Sequence, residues 1–281
     1  MAEFGRATGG LSASREKVLM EAANALADAR RTKMPMMDLP GEQRPTSMEE
    51  AYAVQDMLAE AYGQIGGWKV GAPSADATPM FAPMPKIWMA EGGAVIRGLR
   101  YRGLEAEVAF LLAKDLPRRS SAYSRGEIVD AVGSCHPAIE VMESGLADPV
   151  SADRMSMIAD LQAHGGFVYG PAFPGWREID WTKETVMMAV DGVVRVERTG
   201  SNTSGDLMRL LPWLASEGAE RTGGLRAGQW ITTGSWTGNT QGEERSGVDV
   251  SFGSLGRVTM GFEPEQDLEK GLPGKSVRTF S

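Results

Sequence analysis

The sequence predicts an α+β fold in which two amphipathic helices precede a β-rich domain. Apolar residues recur at helical spacing in two early stretches. From Gly66 the texture changes to short apolar runs bounded by glycine and proline, among them "GGWKVGAP", "AVIRG" and "PAIEVM". Further on, "ETVMMAVDGVVRVERTG" sets Asp191-Gly192 between two runs rich in β-branched residues, a strong hairpin signal.

In chain order, the first helix starts near Ser14 and carries Val18, Leu19, Ala22, Leu26 and Ala29 on one face. The proline-rich, polar stretch "TKMPMMDLPGEQRPTS" reads as a long connection. Ser47 and Glu50 then form an S-x-x-E capping box ahead of Val54, Met57, Leu58 and Ala61. The expected division is a helical segment at 1–65 packed on a β-rich catalytic unit at 66–281. For "LEAEVAFLLAK" the signals divide: Ala, Glu and Leu favour helix, while the alternation and flanking Gly103 favour strand. "PAIEVM", "GQWITTGSWTG" and "GRVTMGF" read as strands, and residues 206–217 as a short helix with Pro212 near its first turns.

A chain of 281 residues, 42% hydrophobic and 23% charged, can bury a substantial core. Its net charge of −8 offers no broad basic surface for a phosphate backbone, so no nucleic-acid partner is expected. The start lacks the apolar core of a signal peptide and no run reaches membrane-spanning length, so neither a membrane nor an exported location is expected; the expected location is cytoplasmic. Cys135, the one cysteine, reads as a small buried thiol, with a nucleophile as the alternative.

The chemistry concentrates in three glutamates. In a strand, Glu105 and Glu107 share one face while Leu104, Ala106 and Val108 share the other. Two carboxylates at one site are relieved by protonating one, by pairing with Lys or Arg, or by binding a cation. Glu140 sits between Ile139 and Val141 in "HPAIEVMES", and Lys69 lies in "GGWKVGAP". Hard oxygen ligands suit Mg²⁺ or Mn²⁺, and two histidines cannot supply a multi-histidine zinc site, so cation binding fits best. Solvated strand edges are the competing reading for each glutamate. "TGSWTGNTQG" lacks the G-K-[ST] ending of a phosphate loop.

In this order, "AYAVQ", "GWKVG", "GLEAEVAFLL", "PAIEVMES", "IADLQAHGGFVYG", "LRAGQWITTGSWTG" and "GRVTMGF" resemble the fumarylacetoacetate hydrolase superfamily, in its 2-keto-4-pentenoate hydratase and 4-oxalocrotonate decarboxylase branch. The resemblance covers nearly the whole chain and implies a mixed β-roll or sandwich preceded by helices. By it, Glu105, Glu107 and Glu140 hold Mg²⁺ or Mn²⁺ and Lys69 borders the substrate; Leu104, Gln162 and the backbone near Gly234 and Ser235 are expected to line the pocket. Asp76, in the loop after Lys69, stands near a family acid residue, with a surface-loop aspartate as the competing reading. The implied activity is a lyase of aromatic-compound catabolism that adds water to a 2-hydroxy-2,4-dienoate and yields a 4-hydroxy-2-oxo acid. The expected partners are that small 2-oxo acid substrate and further copies of the chain, in a dimer or larger homo-oligomer.

Several residues depart from the branch. Glu143-Ser144-Gly145 replaces an Asp-Ser-Arg run, Ala72-Pro73 replaces Leu-Thr, and Leu161, Gln162, Ala163 and His164 stand where the branch has Asn and serines. His164 is therefore a candidate catalytic base or donor, the alternative being a histidine packed on a strand. An ordinary imidazole titrating near ~6.5 would make the rate depend on pH between about 5.5 and 7.5. Lys69 is expected either to move a proton at lowered pKa or to pair with the substrate carboxylate. Alternative functions are vinylogous decarboxylation, C–C bond hydrolysis of acylpyruvates, and a relative without chemistry. Superfamily hydrolases use a His-Glu pair on an N-terminal lid, and no histidine precedes His136 here.

Overall fold

In the computed structural model, residues 11–97 and 99–264 are described. The expected leaderless start and the stretch 265–281 of the expected β-rich unit lie outside the described residues. Helices α1 (Ala13–Thr32) and α2 (Met48–Glu60) come first, then β1 (Ile65–Gly71), β2 (Met80–Pro85), β3 (Met89–Glu91), β4 (Ala94–Ile96), β5 (Gly103–Leu112) and β6 (Leu116–Pro117). Helix α3 (Arg125–Ala131) leads into β7 (Val132–Met142), and α4 (Arg154–Ala159) into β8 (His164–Tyr169). After β9 (Thr185–Val190) and β10 (Val193–Thr199) come α5 (Leu210–Ser216) and α6 (Ala219–Thr222). The last strands are β11 (Gly224–Leu225), β12 (Trp230–Ser235), β13 (Thr240–Gln241), β14 (Gly247–Phe252) and β15 (Gly256–Phe262).

The strands form a mixed α+β architecture. One sheet runs β2-β1-β12-β5-β7-β8-β3, with β13 extending the pairing along β5 at Gly103 and Leu104. A second runs β10-β9-β14-β15-β4, and β6 pairs with β11. Leu104, Ala106, Val108 and Phe110 enter the main core with Val250, Val258 and Met260 of the second sheet. The opposite face of β5 carries Ala109 into a smaller cluster with Met84, Ala138, Phe167 and Trp230. No helix among the described residues is long and apolar enough to cross a membrane.

Local signals explain the ends of several elements. Ser47 caps α2 by accepting from Glu50 N–H at 3.2 Å. Glu50 does not close the expected box. Its carboxylate instead takes Arg15 Nε and Nη2 at 2.8 and 2.7 Å and Thr46 N–H at 2.7 Å, because an arginine on the neighbouring helix outcompetes a neutral amide. A complete capping box stands at Ser124 and Glu127 of α3 instead. Asp191 and Gly192 both have positive φ, 53° and 75°, as the tight turn between β9 and β10 requires. The helix expected at 206–217 divides into a 3₁₀ turn, Leu207–Arg209, and α5, with Pro212 in the first turn of α5. In β5 the helical propensity of its residues loses to pairing on both sides, with β7 over its length and with β12 and β13 on the other edge.

Candidate metal centre

Registry places the glutamates. Glu105 of β5 lies directly opposite Glu140 of β7, and Glu107 is opposite Ala138 one step along. Residues opposite one another in an antiparallel pair share a face, and so do i and i+2, so all three carboxylates project from the sheet together. One oxygen from each lies within 4.8 Å of the other two. Glu107 and Glu140 are buried and Glu105 is half-buried.

Their protonation follows from burial and mutual repulsion. Burial, then the Glu140 charge, pushes the Glu105 carboxyl up to about 7, against Lys69 and a Ser235 hydrogen bond. Glu107 is pushed well above the ordinary carboxylate range by burial and by both neighbouring glutamates. For Glu140 burial works the same way, but Lys69 and His164 outweigh it and hold the group down at about 2. Its Oε2 is buried without a hydrogen-bond partner among the described residues. A cluster of three carboxylates, two of them costly to ionise and one with an unpartnered oxygen, fits a divalent cation with hard oxygen preference.

Lys69 of β1 reaches the same face, because β1 pairs with β12 at Lys69 and Thr232 and β12 pairs with β5 at Thr232 and Ala109. Its Nζ donates to Glu140 Oε1 at 2.5 Å and to Gln162 O at 3.1 Å. Burial disfavours its charge, but the three glutamates together raise its pKa. Without a cation Lys69 is therefore held as an ammonium paired with Glu140.

His164, on β8, is fully buried and its Nδ1 lies 3.0 Å from Glu140 Oε1. An ionised carboxylate only accepts, so Nδ1 carries the hydrogen and Nε2 is the lone-pair nitrogen. Nε2 has no partner among the described residues. Burial lowers the His164 pKa below its ordinary value, assisted by Lys69 and Arg30. The titration expected between about 5.5 and 7.5 is therefore displaced downward, because a buried imidazole pays the desolvation cost of its charge. The next residue, Gly165, packs directly on Glu143: a Cβ there would lie 2.3 Å from Glu143 Cβ.

The remaining expected residues divide. Gly234, with φ of 83°, directs its N–H to Glu107 Oε2 at 3.2 Å, and Ser235 pairs with Glu107 across the strands. Gln162 presents its carbonyl to Lys69, while its side-chain amide is occupied by Phe81 O at 2.9 Å. Leu104 projects from the opposite face of β5 into the main core, as the alternation demands. Asp76 is exposed in the loop between β1 and β2. Cys135 is buried in the core and burial pushes its thiol up.

Sequence reading did not anticipate Thr232, whose hydroxyl donates to Glu107 Oε2, nor the support behind His164. There Arg30, in the last turn of α1, donates to Asp160 Oδ1 at 2.6 Å and to His164 O at 2.8 Å. Asp160 Oδ2 also accepts from Ser144 Oγ at 2.5 Å and Gly145 N–H at 2.9 Å. Only the strand register brings Thr232 to Glu107. A hydroxyl in "WITTGS" carries no such signal.

No family model matches the chain. Among curated proteins, the TodF product hydratase of Pseudomonas putida is 26% identical over 271 residues, spanning 90% of this chain and 98% of that protein. The 2-keto-4-pentenoate hydratase of Paraburkholderia xenovorans is 22% identical over 259 residues, spanning 88% and 95%. Among solved structures, the 4-oxalocrotonate decarboxylase from Pseudomonas putida G7, complexed with magnesium and adipate, has a TM-score of 0.77 at 24% identity and covers 89% of this chain and 99% of its own.

Proposed function

We propose, on the premise that this chain belongs to the 2-keto-4-pentenoate hydratase and 4-oxalocrotonate decarboxylase branch of the fumarylacetoacetate hydrolase superfamily, that it is a divalent-cation-dependent lyase adding water to a 2-hydroxy-2,4-dienoate to give a 4-hydroxy-2-oxo acid. The observation that carries this reading is the convergence of Glu105, Glu107 and Glu140 on one face beside the Lys69 ammonium. These glutamates would hold Mg²⁺ or Mn²⁺, and when bound the cation stabilises negative charge developing on the 2-oxygen of an oxo acid.

The chain's own groups supply the rest. Lys69 Nζ carries three N–H donors, of which Glu140 and Gln162 take two, and the third is available to the substrate carboxylate. As an ammonium it is also the group at this face able to deliver a proton to a dienolate carbon. His164 and Lys69 share Glu140 Oε1, which leaves Oε2 for the cation. Thr232 and the Gly234 amide orient Glu107 in the same way.

The test is a panel of 2-hydroxydienoates, 4-oxalocrotonate-like diacids and acylpyruvates, assayed with Mg²⁺ or Mn²⁺ for hydration, carbon dioxide release and C–C cleavage. Hydration that chelator abolishes and added cation restores is expected. Lys69→Met should lose roughly 10²-fold in rate. Full activity in chelator-treated protein, or carbon dioxide release as the main reaction, would overturn the assignment.

A further inference from the structure

Leu161, Gln162 and Ala163 have φ of 54°, 51° and 57°. Three successive residues with a Cβ in the left-handed region are sterically unfavourable, and such a run persists only where its surroundings hold it. The restraints are specific. Ala163 N–H bonds Asp160 O and Glu143 N–H bonds Ala163 O, each at 2.9 Å. Leu161 is fully buried. Gln162 Nε2 reaches across to Phe81 O at 2.9 Å, on β2. That carbonyl is itself backed by Arg221, which contacts it at 3.4 Å and is paired in the interior with Asp56 at 2.5 Å.

The consequence falls on Lys69, because the left-handed turn aims the Gln162 carbonyl at Nζ. We propose that the turn at Leu161–Ala163, latched by the Gln162 amide to the Phe81 carbonyl, is a positioning device for Lys69. It rests on the reading of Lys69 as the substrate's partner. An ammonium on four rotatable bonds and held by Glu140 alone could swing toward Glu105 and Glu107 on the same face, and would there compete with a cation for the same oxygens. The peptide carbonyl is a second, fixed acceptor that keeps the ammonium beside the cluster and leaves one N–H outward. Gln162 thus acts through its backbone, and its side chain is the latch.

Three variants test this: Gln162→Leu, Ala163→Gly, and the two together. Gln162→Leu keeps the volume and removes the amide, so in chelator-treated protein amide exchange across residues 158–166 and labelling of Lys69 by an amine-selective reagent should both rise about tenfold, and kcat of the cation-loaded enzyme should fall about tenfold. Ala163→Gly relieves one left-handed Cβ with the latch intact, so it should raise the melting temperature without raising exchange or Lys69 labelling. The double variant should regain most of the exchange protection, the Lys69 protection and the rate, because glycine makes the turn cheap to hold without its latch. Unchanged exchange and labelling in Gln162→Leu would overturn the proposal. So would a rise in KM alone, which marks a side chain touching substrate, and so would a double variant no better than Gln162→Leu. The exchange and labelling arms need neither substrate nor cation, so a wild type without lyase activity would count against the proposed function and leave these arms to decide the turn.

Discussion

At the residue scale, Glu105 reports the cost of assembling the site. Its carboxyl is ordinary in the unfolded chain, near 4.5, and is raised to about 7 in the folded, cation-free protein. The folded state therefore binds the proton more tightly, the unfolded state holds fewer protons between these values, and stability falls as pH rises through the window. Glu140, held at about 2, titrates outside it. Chelator-treated protein should lose melting temperature from pH 4.5 to 7, and Glu105→Gln should reduce that slope, the remainder belonging to Glu107, which burial and its neighbours also hold up; an identical slope in the variant would place the titration elsewhere. Cation binding should release protons in the same window, visible as an affinity that rises with pH. His164 makes a different prediction. As the hydrogen-bond donor that fixes Glu140, its replacement by Ala should weaken Mn²⁺ binding by roughly 10- to 100-fold. Its buried, down-shifted imidazole should leave any acidic limb of the pH profile in place. Unchanged Mn²⁺ affinity would make His164 a packing residue.

At the element scale, α1 is fastened to the site by Arg30 and Asp160, whose side chains are 4% and 0% exposed. Removing one partner of so buried a pair strands the other, at a cost of about 3–5 kcal/mol. Arg30→Met should lose that much in urea unfolding; a loss under about 1 kcal/mol would mean that the Ser144 and Gly145 bonds alone satisfy Asp160. Legibility differs among elements for a related reason. The β9–β10 hairpin and the start of α2 were readable because their signals are local: a two-residue turn with positive φ, and a serine cap. The expected capping partner Glu50 was not, because Arg15 reaches it from another helix. β5 was ambiguous because its residues favour a helix and its strand state comes from neighbours distant in sequence.

At the scale of the whole molecule, a cation binding only the folded state should stabilise it by mass action. Mg²⁺ at 100 times its Kd contributes about 2.7 kcal/mol, worth roughly 5–10 °C in a domain of this size. Thermal melts with chelator and with excess Mg²⁺ should differ by that range and interconvert on readdition; superimposable melts would argue against a cation site. The same scale sets assembly. Met34, Met37 and Val150 are 75%, 81% and 77% exposed, and we expect a homo-oligomer by light scattering, with a monomer at micromolar concentration as the contrary result.

The sequence by itself determined the fold class, the start of α2, the hairpin turn and, once β5 is a strand, the sharing of one face by Glu105 and Glu107. Each depends on bonds between near neighbours or on the period of two in a strand. Only the tertiary structure decided that Glu140 stands opposite Glu105, that Lys69 reaches them from a strand two places away, and that His164 is a buried donor to Glu140. It also decided that Gln162 spends its amide on Phe81 and that Leu104 faces the core. Registry, burial and the charges that shift these groups arise from segments far apart along the chain, and no local pattern of residues encodes a distance between them.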